Sequence, residues 1–423
     1  MKQRLISLDV LRGLTMILMT IVNNPGDWGH VYPPLLHAEW HGCTPTDLVF
    51  PTFLLIVGIS IVLATPAKNL NGPTLQKIVT RTLRIFCLGM FSGFFVRLHL
   101  FGLEGNALLA ARLVVTAMVV VALFSDYDRK WQFITAAGIF AIMIGLAFSG
   151  IEPFNTVRIP GVLQRIAVVY LIASLLYLKT SWRTQAIVGA VLLLGYWAVM
   201  TLISVPGTGG ATLEKGTNLA AWLDNLLLPG HLWASSKTWD PEGILSTLPA
   251  IGTGIAGLLI GTLLKSEGLG KSEKVKYMLT GGLAAVAAGW LWSLVFPLNK
   301  ALWTSSFVLY AGGWALLCLA VLYYIIDLKG HSKWTAFFVA WGVNPMVVFF
   351  FTGMIFRLLN AVKVENPVNM SEKTDLVPYF YQYRLAPLFT DPRDASLAQA
   401  LLLVALWSLI LLALYRKKLV FKV

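Results

Sequence analysis

The sequence predicts an all-α fold: a polytopic integral membrane helical bundle of about 12 transmembrane helices, between 11 and 13, with both termini cytoplasmic. Three observations carry this. Apolar residues make up 57% of the 423 and charged ones 13%, with mean hydropathy +0.73; soluble proteins hold about 45–50% and about 25%. Twelve apolar windows bounded by charge, Pro or Gly fit a length with room for ten to thirteen crossings of about 20 residues each. The connections between these windows alternate in character, which separates the two sides of a bilayer.

The windows fall near 6–24, 47–66, 78–97, 106–124, 132–149, 161–178, 184–203, 244–264, 276–296, 302–327, 335–360 and 395–415. The first has Lys2 and Arg4 before it, but Asp9 and Arg12 interrupt its start and no small-residue cleavage site follows, so it reads as a retained helix. The fourth and fifth are the weakest, and removing both as a pair preserves the remaining topology. No fixed-period repeat, low-complexity tract or composition shift divides the chain, so 1–423 is read as one transmembrane domain.

One side receives Lys2 and Arg4, then Lys68, Lys77 and Arg81, Arg129 and Lys130, Lys179 and Arg183, Lys265, Lys271, Lys274 and Lys276, Lys329 and Lys333, and finally Arg416, Lys417, Lys418 and Lys422. The other receives three long segments near 25–46, 204–243 and 361–394, where Lys and Arg are sparse. The positive-inside rule places the first side in the cytoplasm. The net charge of +13 is thereby a topology signal and not a nucleic-acid footprint. Fifteen Trp and thirteen Tyr suit two water–lipid interfaces.

Cys43, Cys87 and Cys318 lie far apart and form neither a disulfide framework nor a thiolate metal site. Gly89 and Gly93, and Gly257 and Gly261, have the spacing that lets helix backbones approach closely. Gly252–Gly257 matches a dinucleotide fingerprint by letters only, with no strand before it and no acidic residue at the required distance. The Gly270-Lys271-Ser272 triplet lacks the glycine a phosphate loop needs at 265, which is Lys.

Polar groups within or beside the windows are more informative, because an ionisable residue in hydrocarbon costs at least about 2.5–3.5 kcal/mol and normally faces a bundle interior or aqueous cavity. They are Asp9, Arg12, Asp47 and Arg165, joined near span ends by Asn23, Asn24, Gln164, Asn299, Lys300 and Asn344. Each alone can be a structural hydrogen bond or a snorkelling side chain; their concentration favours a shared polar cavity. His37 and His41, four apart after the first window, could supply a base at an outer cavity mouth. With His30 and His231 they could instead ligate zinc, or be structural, and their spacing alone does not decide among the three.

Six stretches together resemble the heparan-α-glucosaminide N-acetyltransferase family of transmembrane acyltransferases and its bacterial homologues. They are Ser7–Gly13 (SLDVLRG), His37–Gly42 (HAEWHG) with Asp47–Pro51 (DLVFP), Arg158–Arg165 (RIPGVLQR), Asp240–Thr247 (DPEGILST), Pro297–Trp303 (PLNKALW) and Gly342–Pro345 (GVNP). They occur in the family's order and run through most of the chain.

The resemblance implies a membrane enzyme that uses cytosolic acetyl-CoA, and no metal, to acetylate the amino group of a terminal glucosamine across the membrane. A homodimer in a bacterial inner membrane, with its long loops in the periplasm, is the corresponding assembly and location. The family's acetyl-carrying or base histidine maps onto His37 and its polar partner onto Asn23 or, one residue on, Asn24. Residues 104–150 are additional to the eukaryotic pattern, and the lumenal domain ahead of the first helix of the animal enzyme has no counterpart here.

Within that frame Asp47 would orient His37. Arg12 and Arg165 would meet the donor's phosphates or pantetheine amides, with Gln164 and Asn344 beside it and Arg84 at the cytoplasmic mouth. Asn23, Asn299 or Asn344 could donate to a developing oxyanion. Lys300, Asp240, Glu242 and Asn299 would bind the acceptor sugar. The rival expectation is an amino-sugar transporter, against which stand the absent internal duplication and the asymmetric histidine segment.

Overall fold

The computed structural model describes residues 5–100, 102–367 and 373–421. Lys2, Arg4 and Lys422, part of the orientation reading, lie outside the described residues.

The chain is almost entirely helical: α1 (Ile6–Asn23), α2 (Val49–Ala64), α3 (Gly72–Phe95), α4 (Gly105–Phe124), α5 (Arg129–Ala147), α6 (Val162–Lys179), α7 (Trp182–Leu202), α8 (Leu219–Leu227), α9 (Thr247–Lys265), α10 (Lys271–Trp292), α11 (Ser305–Tyr323), α12 (Ala336–Val343), α13 (Pro345–Ala361), α14 (Leu376–Phe380) and α15 (Pro392–Arg416). Polar residues begin several of them by accepting otherwise orphaned backbone N–H groups. Asn71 accepts from Thr74 N before α3, Asp128 from Lys130 N and Trp131 N before α5, Ser181 from Thr184 N before α7, and Asp391 from Arg393 N before α15.

Among the described residues ten helices are long and apolar enough to cross a membrane, or eleven if the bent pair α12–α13 is one span. The upper figure meets the lower end of the expected range of 11 to 13. The window at 276–296 does form a helix, α10, which is less apolar than that group. The window at 335–360 is not one straight helix: α12 and α13 meet at 72°. Pro345 explains the break, since its ring disfavours helical backbone at Asn344, which adopts φ −123° and ψ 44°. The long segment after α13 carries a small antiparallel pair, β1 (Lys363–Glu365) and β2 (Lys373–Asp375), with Val364 opposite Thr374.

Helices α2 and α9 form the centre, with 67% of each span window buried, whereas α4 and α5 are peripheral at 17% each. The central pair touches backbone to backbone. A Cβ on Gly58 would lie 2.1 Å from Gly254 O, and one on Gly257 would lie 2.2 Å from Leu55 O, so only glycine fits. Of the other expected pair, Gly89 packs against Gln164 and Leu163 of α6, while Gly93 makes only ordinary contact with Val157. α1 crosses α12 as closely, with Gly342 against Asp9 O and Gly13 against Phe338 O.

Candidate active site

The first element of the site is a local consequence of Thr44–Leu48. Thr44 and Asp47 form a capping box around the helical turn Pro45–Leu48, which leads straight into α2. Asp47 Oδ2 accepts from Thr44 N at 3.0 Å and Ala38 N at 3.1 Å, and the Thr44 hydroxyl donates to Leu36 O at 2.7 Å, folding segment 36–38 over the helix start. Asp47 Oδ1 then meets His37 Nδ1 at 2.7 Å. A carboxylate only accepts, so His37 carries a proton on Nδ1 and turns Nε2 away from Asp47. Asp47 is 1% exposed and the His37 side chain 43%, an anchored base facing outward.

Lys300 arrives from the turn between α10 and α11. Asn299, fully buried, holds that turn: its N–H donates to Thr304 Oγ1 at 3.1 Å, and its Oδ1 accepts from Leu302 N at 2.8 Å. Gly42 N donates to Leu298 O at 2.7 Å, joining the turn to the histidine segment. Asn299 Nδ2 lies 3.4 Å from His41 Nδ1. Lys300 Nζ consequently sits 3.1 Å from Nδ1 and 3.3 Å from Nε2 of His37, and 3.7 Å from Asp47 Oδ1. Burial pulls the Lys300 ammonium below the ordinary lysine value, opposed by the Asp47 and Glu242 carboxylates.

Beside this corner is a charged cluster. Arg158 grips Asp240 with two bonds of 2.8 and 2.6 Å and Glu242 with one of 2.5 Å. Burial works against the Arg158 charge, but the two carboxylates prevail and hold its pKa above the usual arginine range. His231 braces the arginine's strand of chain: its Nδ1 lies 2.7 Å from Val157 O, and its own carbonyl accepts from Ile159 N at 3.0 Å. Arg165, 2% exposed, donates from Nη2 to Ser246 Oγ at 2.5 Å and Gly243 O at 3.2 Å, while its Nε and Nη1 have no hydrogen-bond partner among the described residues. Its guanidinium lies 5.1 Å from the Trp303 ring, which Phe50 meets edge-on at 5.0 Å. Trp303 takes a left-handed φ of 53°, a strained backbone for a bulky residue at the end of the Lys300 turn.

The remaining expected residues lie elsewhere. Arg12 is bound at the other end of α2: Nη1 donates to Asp9 at 2.9 Å and to Gly342 O at 3.1 Å, and Nη2 to Ser60 Oγ at 2.9 Å. Ser60, which Arg12 meets, and Phe50, which packs on the Trp303 beside Arg165, are ten residues or about 15 Å apart along α2. Asn344, fully buried, spends its amide on the chain after α15, donating to Leu419 O at 3.2 Å and accepting from Phe421 N at 2.8 Å. Gln164 packs on Gly89 and Gly161, and Arg84 donates to Ser125 O at 3.0 Å, closing the end of α4. Asn23 is exposed at the end of α1, and Asn24 donates back to Thr20 O at 2.7 Å. Among the described residues no group of three His, Cys, Asp or Glu could hold a metal ion.

Sequence reasoning did not single out two contributors. Arg158 stood inside a quoted motif without a role, although two acidic residues in another motif needed a cation. Asp224 of α8 is 1% exposed, accepts from Ile244 N at 2.8 Å and presses on Gly243; burial raises its carboxyl to about 6. One acidic residue in the apolar run Leu219–Leu227 was the available signal.

Comparison with known proteins agrees with the motifs. A family model described as "Domain of unknown function (DUF5009)" matches residues 4–204. Heparan-alpha-glucosaminide N-acetyltransferase from Homo sapiens is 27% identical over 482 residues, and its Mus musculus counterpart 25% over 480. Each alignment covers 99% of this chain, which spans 60% of the length of those relatives. The likeness to the heparan-alpha-glucosaminide N-acetyltransferases, first read from short motifs, thus runs through nearly the whole chain.

Proposed function

We propose that the protein is a transmembrane acetyltransferase that moves the acetyl group of cytosolic acetyl-CoA to the amino group of a glucosamine-type sugar on the extracytoplasmic side. The observation that carries this reading is the Asp47–His37–Lys300 corner: an oriented imidazole, a buried carboxylate behind it and an ammonium against its Nε2. Acyl transfer to an amine needs such a base, because the attacking ammonium must first lose a proton.

In this reading His37 Nε2 takes that proton or carries the acetyl group, and Asp47 keeps the ring in the required tautomer. Asn23 is the candidate donor of an oxyanion hydrogen bond from the end of α1. Arg12, with Asn344, belongs to the donor's approach from the opposite end, and Gln164 lies beside Arg165 at the start of α6. Arg165, on α6 beside Trp303, belongs to the thioester end and not to the phosphates. Asn299 and Lys300 face the acceptor. Asp240 and Glu242 act on it through Arg158, which holds them.

Moving only an acetyl group spares the donor's phosphates the crossing of hydrocarbon. Both termini on the cytoplasmic side require an even number of crossings. Counting α12–α13 as one span and α10 as another meets that condition. The 361–394 segment then lies outside with 25–46 and 204–243.

The test is transfer from radiolabelled acetyl-CoA to glucosamine by purified protein in detergent, beside a His37→Ala variant. The expected loss in the folded variant is about 10²-fold or more. No transfer to any amino sugar, together with saturable sugar uptake in proteoliposomes, would select a transporter instead.

A further inference from the structure

We propose that Lys300 is itself an acetyl acceptor: when an acetyl donor reaches His37 and no amino sugar is bound, the acetyl group passes to Lys300 Nζ and leaves an acetylated lysine. The proposal rests on the acetyl-transfer reading above and adds a modification site within it.

Its basis is position. An acceptor amine has to approach His37 Nε2, and Lys300 already places a primary amine 3.3 Å from that atom and 3.7 Å from Asp47 Oδ1. At that distance the amine is beside the atom that takes its proton or carries the acetyl group. The tether is fixed, because Asn299 and Thr304 lock the turn on either side of Lys300. The lysine side chain is 23% exposed, so it sits at the rim of the site and is not sealed beneath it. Burial also increases the neutral, nucleophilic fraction of the amine.

The same geometry makes Lys300 an occupant of the acceptor-amine position. Glu242 attracts it as well as Asp47 does. A sugar ammonium taking its place beside His37 would find Lys300 a second counter-ion on the Arg158 side.

The step balances. Lys300 releases one proton to solvent to become the neutral amine. Its nitrogen attacks the thioester carbonyl, the N–C bond forms and the C–S bond breaks. The second amine proton passes through His37 Nε2 to the departing thiolate, which leaves as the free thiol. If His37 carries the acetyl group first, Nε2 attacks the thioester and the thiolate leaves; the Lys300 nitrogen then attacks the acetyl carbon, the Nε2–C bond breaks, and the second amine proton passes through the freed Nε2 to the thiolate.

The experiment uses the full chain in detergent with isotopically heavy acetyl-CoA and no sugar, read by mass spectrometry of the peptide containing Lys300. The same preparation is scored in parallel for transfer to glucosamine. The expected result is close to one heavy acetyl group per chain on Lys300, at least tenfold less when glucosamine is present, and none in a folded His37→Gln variant. Lys300→Arg should leave that peptide unlabelled. Sugar transfer without acetyl on Lys300 would overturn the proposal alone. So would labelling that survives His37→Gln or runs no faster than at exposed Lys271. Absence of both reactions would overturn the acetyl-transfer reading and the proposal with it.

Discussion

Asp47 and His37, ten residues apart in sequence, are joined by a 2.7 Å hydrogen bond from Nδ1 to a carboxylate that is 1% exposed. The other carboxylate oxygen is already held by two backbone N–H groups, so the imidazole is oriented by a fixed group. Asp47→Asn should keep an acceptor for those N–H groups yet allow the wrong tautomer of His37. The expected outcome is a fall in kcat of about 10²–10⁴-fold with little change in KM or folded yield. Steady-state kinetics with glucosamine as acceptor measures it.

Arg12 links α1 to α2 and α12 through Asp9, Ser60 and Gly342 O. If it also meets the donor, Arg12→Ala should weaken acetyl-CoA binding about tenfold or more, consistent with loss of a charge-assisted hydrogen bond of about 1.5–3 kcal/mol. Equilibrium binding on purified protein reads this. Unchanged affinity would leave Arg12 a purely structural clamp.

Arg158→Ala would strand Asp240 and Glu242 without their cation. Asp240 is wholly buried, whereas the Arg158 side chain is 31% exposed. The expected cost is therefore near the lower end for a broken buried pair, about 3 kcal/mol. A lowered thermal midpoint in detergent, partly rescued by also replacing Asp240 with Asn, is the expected pattern.

Asp224 should imprint a pH dependence on the segment from α8 to α9. Burial raises its carboxyl from 3.8 to about 6, so the folded chain binds this proton more tightly than the unfolded chain. Its contribution to stability is complete below about 3.8 and is lost as pH rises through about 6. Asp224→Asn should flatten the stability profile across that window and stabilise the protein at pH 7. Thermal unfolding across pH 4–8 checks the sign.

Orientation is testable independently of chemistry. Pro34 and Ser272 are both exposed, at opposite ends of the bundle in the proposed topology. A cysteine at Pro34 should react with an impermeant thiol reagent added outside spheroplasts, and one at Ser272 should not. The reverse pattern would invert the protein in the membrane.

The helical windows were legible because each depends on a contiguous apolar run and its own caps. Even the bend at Asn344 had its cause in the neighbouring Pro345. The window at 276–296 forms the helix α10, whose charged start was visible too. The site was legible in part. Asp47, Lys300 and Asn299 were named from polarity in or near the spans and His37 from its place after the first window and the family resemblance, and the structure assembles them in one corner. Asn344 and Gln164 were polar and buried as expected, but their partners are the chain's own tail and helix packing.

The sequence by itself determined that this is a helical membrane protein, where its apolar segments lie, which connections carry positive charge, and which family its motifs resemble. Those properties are written in composition and short-range order. Only the tertiary structure decided that Lys300 lies against His37 across 263 positions, that Arg158 and not solvent neutralises Asp240 across 82, and that Arg12 and Arg165 belong to different levels of the bundle. Ion pairs and hydrogen bonds act over a few ångströms in space, and no local pattern records which distant segments the packed helices bring that close.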